Sequence, residues 1–422
     1  MAGQTGGRRH TGDIVVVGAG IIGITAAIEL QSLGAKVTVM DRAGVASGTS
    51  QGNAGAFAFS DSSPLASPGI IRRAPKWLFD PLGPLAIPLP YALKITPWMY
   101  RFWRASNADQ VAAGTRALTA LMQVSKAHLE SFMERTGTAH MLHHHGNLQL
   151  YENPAAFKAV LPIWQRRAET GVSYTVLEGN DAIAEAQAGI HPRFSRAILT
   201  PAWLGISDPK DYTVALGDYF TRQGGEIEIA AVKAIEATGE QVFLVREDGS
   251  RREADRVVVA TGAWSHFLAR TLGDHIPLET ERGYNTTLPL GAFDLKRQLS
   301  FEEHGFIVSP LATGIRVGGA VELGGLNLPP NYARADALLK KAKAFLPALK
   351  TEGGRPWMGY RPSLPDSVPV IGPATKTSRV TYAFGHGHLG LTQSVGTAKL
   401  VAALVMGTAP EADLAPYRAD RF

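Results

Sequence analysis

The chain has no cysteine among its 422 residues. That absence excludes disulfides, thiolate nucleophiles, iron–sulfur clusters and a flavin tethered through a cysteinyl sulfur. No run of about 18 apolar residues occurs, so nothing reads as a membrane span. Internal repeats and long low-complexity tracts are also missing. Charged residues make up only 19% of the chain and hydrophobic ones 45%, with a net charge of +5, as in a soluble globular protein. The small cationic excess reads as scattered surface, with no pointer to nucleic acid; an anionic membrane face or an acidic partner is the partner class it leaves open. The first twelve residues, with Arg8-Arg9, read as a disordered leader without the apolar stretch of a secretory signal. The default compartment is the cytoplasm. His143-His144-His145 would alternate in direction along a strand and make a poor metal cage, so no metal is expected.

What is present is organised around Gly18, Gly20 and Gly23 in Asp13-Ile-Val-Val-Val-Gly-Ala-Gly-Ile-Ile-Gly. Ile14–Val17 has the β-branched composition of a buried strand, and Ile24–Leu30 continues as a helix. In that setting Gly18 makes the tight turn, Gly20 lets backbone N–H groups approach a pyrophosphate, and Gly23 lets helix and strand pack. The helix dipole faces the phosphates. A second strand, Lys36–Met40, ends at Asp41, a carboxylate about twenty residues on, where an adenosine ribose is bound. An acid there argues for FAD or NAD over a 2′-phosphorylated cofactor. The loop Ser47-Gly-Thr-Ser-Gln-Gly-Asn-Ala-Gly55 has the small polar residues of a ligand-wrapping segment.

Residues 64–104 read as a proline-rich aromatic connection. Trp77, Phe79, Tyr91, Trp98, Tyr100, Phe102 and Trp103 are interleaved there with Lys76, Lys94, Arg101 and Arg104. That mixture suits either a subdomain core with a cationic rim or a peripheral membrane contact over 76–104. Helices are expected over 112–135, 157–170 and after Pro209, and strands over 226–229, 232–237, 241–246 and 255–260. Long antiparallel strands follow between 276 and 322. A glycine-rich turn at 385–390 opens a last helix, whose free N–H donors can hold negative charge. The expected architecture is α/β: a Rossmann-type FAD-binding domain (12–60, 224–275 and 355–410) with an inserted antiparallel-sheet substrate domain (61–223 and 276–354).

Several stretches together resemble the D-amino-acid oxidase/glycine oxidase superfamily of FAD enzymes, and within it bacterial D-amino-acid dehydrogenases of the DadA type. They are the N-terminal fingerprint with Asp41, the 47–55 loop, Ala260-Thr-Gly-Ala-Trp-Ser265, Gly283-Tyr284, Gly359-Tyr-Arg-Pro-Ser-Leu-Pro-Asp366 and Gly385-His-Gly-His-Leu-Gly-Leu-Thr392. The resemblance implies that non-covalent FAD is held by Gly18, Ala19, Gly20, Ile21, Ile22 and Gly23 at the pyrophosphate and by Asp41 and Arg42 at the ribose. Ser47, Gly48, Thr49, Ser50, Gly52, Asn53 and Ala54 would line the flavin and ribityl region. Val232 would meet adenine, Thr261, Gly262 and Trp264 would approach the dinucleotide, and Leu389, Gly390, Leu391 and Thr392 would sit near flavin N1.

By the same resemblance Arg361 grips a substrate carboxylate, with Tyr284 beside it. His386 and His388 are candidates for tuning the amine proton. A guanidinium fork matches a planar carboxylate bidentately. The implied reaction is hydride transfer from Cα of a D-amino acid, such as D-proline or hydroxy-D-proline, to flavin N5, with a quinone or other electron acceptor. Two alternatives stay open: an oxidase of glycine, sarcosine or another secondary amine, and a non-catalytic flavoprotein subunit.

Overall fold

The computed structural model describes residues 12–67, 85–169, 171–239 and 241–422. The expected leader, and Lys76, Trp77 and Phe79 of the aromatic stretch, lie outside them. The α/β architecture is the expected one. A six-stranded sheet runs Glu226–Ile229, Lys36–Asp41, Asp13–Val17, Arg256–Val259, Thr377–Phe384 and Val370–Ala374 in spatial order. The first five strands are parallel and the last is antiparallel. Val15, Val16, Val257, Val258 and Val259 are fully buried, as a doubly covered parallel sheet requires.

A nine-stranded sheet forms the other half. It runs Arg355–Ser363, Glu279–Leu288, Gly314–Glu322, Phe306–Leu311, Gln298–Phe301, Asn147–Tyr151, Arg196–Thr200 and Thr175–Glu178, with Leu85–Ala86 added beside Gly314–Glu322. Its pairs are antiparallel except two, Gln298–Phe301 with Asn147–Tyr151 and Leu85–Ala86 with Gly314–Glu322. A smaller sheet is formed by Val232–Thr238, Gln241–Arg246 and Arg251–Ala254, with Gly239 at φ +59° after the first strand.

Between the sheets' flanking helices lies the main core. Ile21–Ser32 and Gly390–Met406 pack on each other, and Thr25 Oγ1 donates to the Ser394 carbonyl across the contact. Gly396 lets Ala108–Thr136 approach so closely that a Cβ there would meet the Leu121 carbonyl oxygen at 2.7 Å. Glu29, 2% exposed, is paired by Arg135 and Lys399, which makes its burial tolerable. Fully buried Val395, Leu400 and Val401 each contribute about 1.5–3 kcal/mol by removal from water.

Three expectations change. Ala108–Thr136 and Pro209–Arg222, expected among the substrate segments, supply Leu118, Leu121, Tyr212 and Leu216 to the core shared with Ile21–Ser32 and Gly390–Met406. Their apolar stripes need a partner, and the nearest is a helix of the dinucleotide half. Conversely, Arg355–Ser363 leaves the dinucleotide half and pairs along its whole length with Glu279–Leu288. The 64–104 connection contains a helix, Ala92–Ala105, that tolerates Pro97 and buries Ile95 and Trp98 against Leu323.

Candidate active site

Five parallel strands end at one cavity of about 750 Å³, where Val17, Met40, Ala230, Ala260 and Phe384 are in its wall. Open α/β sheets bind ligands at this carboxyl edge. The nine-stranded sheet closes the opposite side with Glu281, Gly283, Asn285, Arg316, Gly318, Trp357, Gly359 and Arg361.

The dinucleotide end fits an adenine–ribose–pyrophosphate group. Gly18 has φ +111°, and a Cβ on it would strike the Ala260 carbonyl. A Cβ on Gly23 would overlap the Gly18 carbonyl oxygen, so this glycine serves the helix–strand contact and does not line the cavity. Ala19 is likewise buried behind the wall, its N–H donating to Asp41 Oδ2 at 2.9 Å. Asp41 Oδ1 accepts from Ala43 and Gly44 N–H, which fixes the acid at the cavity edge. Arg42 stacks on Trp264 at 3.9 Å, and Val232, Thr261 and Gly262 complete this wall. Ser50 Oγ accepts from Ile21 N–H at the helix start, joining the polar loop to the phosphate-facing turn.

Ser47, Gly48, Thr49, Ser50, Gly52, Asn53 and Ala54 all line the cavity. The far sheet holds this loop at four points. Thr49 Oγ1 donates to the Tyr360 carbonyl, and Asn285 Nδ2 to the Gly52 carbonyl, each at 2.8 Å. Arg316, 8% exposed, donates to the Asn53 carbonyl at 2.7 Å. The Trp357 ring lies where a Gly52 side chain would be. Arg316, Asn285 and Trp357 were not singled out from the sequence. Their role comes from strand pairing, which leaves no local signal.

At the other end, Leu389 caps the helix Gly390–Met406, and Leu389, Gly390, Leu391 and Thr392 face the cavity. Thr392 Oγ1 accepts from Ala58 N–H and Ser125 Oγ donates to the Thr392 carbonyl, so this helix start is held from both sides. A bridge between Ser363 and His386, with Gly387 N–H on the Pro362 carbonyl, brings Arg361 next to that turn.

Arg361 lies across Gly283 with Nη1 donating to the Ala320 carbonyl at 3.1 Å. Burial lowers its pKa and the Glu281 carboxylate opposes that shift. Tyr284 is a correction. Register places Arg361 opposite Glu281 and Tyr284 opposite Met358, so alternation sends the Tyr284 side chain to the other face of the strand. There its hydroxyl donates to Glu322 Oε1 and accepts from Asn331 N–H, each at 3.0 Å. Tyr284 still lines the same cavity as Arg361, but its hydroxyl is committed to Glu322 and Asn331 and is not turned toward a ligand held by that arginine.

The two histidines separate. His386 is 4% exposed, its Nε2 bonds Thr397 Oγ1, and burial pushes its pKa down to about 3. It too lines the cavity, but neutral and with Nε2 engaged by Thr397 it is poorly placed to move a proton, which corrects its candidacy. His388 lines the cavity with Nε2 3.4 Å from Asp61 Oδ2. Burial alone would raise Asp61, but the hydrogen bond and charge of His388, with Arg167, hold it below the usual carboxylate range. Glu302, exposed and also in the cavity wall, is pushed up to about 7 by desolvation and then by Asp61. Among the described residues no cluster of His, Cys, Asp and Glu could hold a metal.

A carboxyl-edge cavity with a dinucleotide cradle, a polar flavin-length loop and a sheet-borne arginine defines a class of FAD enzyme. The chain belongs to the FAD dependent oxidoreductase family (DAO), whose model matches residues 13–404, and FAD is its cofactor. Among its relatives, a D-amino-acid oxidase of Bradyrhizobium diazoefficiens is 32% identical over 97% of this chain and 98% of that one. A D-amino acid dehydrogenase of Rhizobium johnstonii is 31% identical over 97% and 99%. In fold the chain is similar to glycine oxidase from Geobacillus kaustophilus, with TM-score 0.76 and 21% identity over 98% and 99% of the two chains. It is also similar to L-proline dehydrogenase from P. horikoshii, at TM-score 0.74 and 20% identity over 98% of each.

Proposed function

We propose that this enzyme oxidises the Cα–N bond of a D-amino acid, and that Arg361 is the group that holds the substrate carboxylate. FAD, when bound, supplies the hydride acceptor. The observation that carries the reading is the guanidinium of Arg361, laid over a glycine in the cavity wall with Nε and Nη2 not engaged by any hydrogen bond to a described residue. A fork held that way receives a carboxylate bidentately and aims Cα. The loop clamped by Arg316, Asn285 and Thr49 keeps the cofactor side of the site rigid. His388, oriented by Asp61, is the more exposed of two imidazoles in the cavity wall and the one we assign to receive an amine proton. The names of the relatives favour D-amino acids, and D-proline and hydroxy-D-proline belong to the test panel.

The test is anaerobic reduction of the purified flavoprotein by D- and L-amino acids, proline analogues, glycine and sarcosine. Loss of the oxidised flavin's visible band with D-isomers alone supports the reading. Reduction by glycine, sarcosine or L-isomers instead refutes it. Re-oxidation by a quinone analogue and not by air assigns a dehydrogenase; air re-oxidation assigns an oxidase.

For the acceptor, we favour a quinone reached at a membrane face. No helix among the described residues is long and apolar enough to cross a membrane. Leu89 and Leu93 are each 90% exposed beside exposed Tyr100 and Trp103, with Lys94, Arg101 and Arg104 on the same helix. No acidic residue stands between Asp80 and Asp109. Such a face suits an anionic lipid surface. Flotation with anionic liposomes at low salt tests it, and protein that stays with the soluble fraction refutes it.

A further inference from the structure

Glu281 is 5% exposed, lines the cofactor cavity, and accepts no hydrogen bond from any described residue. A carboxylate taken out of water this far is costly unless something cationic meets it. Its neighbours in the strand point elsewhere: the Arg282 side chain donates to the Gly325, Leu328 and Pro329 carbonyls and to Glu322. Glu281 sits directly opposite Arg361 across an antiparallel pair. Such residues share one face, with Cβ atoms about 4.5–5.5 Å apart. Gly283, next on that face, has no side chain, and the Arg361 guanidinium lies in the space above it. The cavity wall therefore carries a half-buried cation and a buried anion side by side.

We infer that Glu281 is the anchor for the substrate α-ammonium, and that the Glu281–Arg361 pair selects zwitterions over simple carboxylates. The inference rests on the reading that Arg361 holds the substrate carboxylate. Arg361 alone would accept any small carboxylate. Glu281 repels a carboxylate that brings no ammonium and attracts one that does, so discrimination is a difference between two affinities set by one charge. Glu281 is a specificity residue in this scheme; it takes no part in bond breaking.

The test replaces the charge and keeps the shape. Glu281→Gln is titrated in the flavin-loaded protein with two probes. One is the D-amino acid that reduces wild-type flavin, followed anaerobically. The other is benzoate, which has no amine and is followed by the perturbation of the oxidised flavin spectrum. The amino acid should require on the order of 10- to 100-fold higher concentration, the worth of one hydrogen-bonded charge. Benzoate should bind as tightly as to wild type or tighter. Glu281→Asp, which restores the charge one methylene back, should recover part of the amino-acid affinity. Equal weakening for both probes makes Glu281 a structural partner of Arg361 and overturns the inference, as does no change for either. If wild-type flavin is reduced by no amino acid, the functional reading fails and this inference with it. If wild type is reduced and the variant matches it, only the inference fails.

Discussion

Replacing Gly283 by alanine isolates the carboxylate grip from the fold. Gly283 lies in a strand with negative φ, so its backbone accepts a side chain. The new Cβ would stand 2.5 Å from Cζ and Nη2 of Arg361 and 3.0 Å from Nε. Comfortable contact needs about 3.5–4.0 Å, so the guanidinium must move by about 1 Å or more. Because the crowded atoms are the far end of a flexible side chain, the backbone need not follow. Removing a glycine restricts the unfolded chain by about 0.4–1 kcal/mol, which offsets part of the repacking. The melting temperature should therefore change little, and flavin should stay bound. A 1 Å misplacement of a positioning group costs about 100-fold, or about 2.7 kcal/mol of transition-state stabilisation. Stopped-flow flavin reduction across substrate concentration measures it. A folded, flavin-loaded Gly283→Ala protein with wild-type kcat/KM would refute the assignment of Arg361 to the substrate.

Gly23→Ala should behave oppositely. Its clash is with the backbone oxygen of Gly18, so the variant should purify without FAD or fail to accumulate, read by the flavin-to-protein absorbance ratio. Arg316→Met removes the donor to the Asn53 carbonyl and should weaken FAD retention by about tenfold or more, measured by ultrafiltration at low protein concentration. Glu302 bears on pH. Its folded pKa is raised to about 7 from 4.5, so its contribution is fully present below about pH 4.5 and lost as pH rises through 7. Thermal melts should show Glu302→Gln and wild type alike at pH 4 and the variant more stable at pH 8; identical curves at both would refute the shift.

Local chemistry was enough for the dinucleotide unit. Strand, glycines, helix, strand and Asp41 follow one another within thirty residues; the role of Gly23 depends on atoms a few residues away, although Gly18 meets Ala260 and Gly20 meets Ser50. The helix after Pro209 and the glycine-opened helix Gly390–Met406 were legible for the same reason. Hydrophobic periodicity also announced a helix over 112–135, most of the observed Ala108–Thr136, because a stripe with a 3.6 period records which side is apolar.

Only the tertiary structure decided what that stripe covers and which side chains meet at the cavity. The helix Ala108–Thr136 lies on Gly390–Met406, 267 residues along the chain at the Ser125–Thr392 contact. Arg361 meets Glu281 and parts from Tyr284 because one register pairs Glu279 with Ser363; a slip of one residue would exchange the faces. Within a strand, the sequence states which residues share a side. The register between strands is set by turns, bulges and the packing of distant segments, and so are Arg316 on the Asn53 carbonyl and the separation of His386 from His388. By itself the sequence determined a FAD-binding βαβ unit and the residue types of a carboxylate-binding site. Folding decided which of those residues share one cavity, because that depends on contacts between residues far apart in the chain.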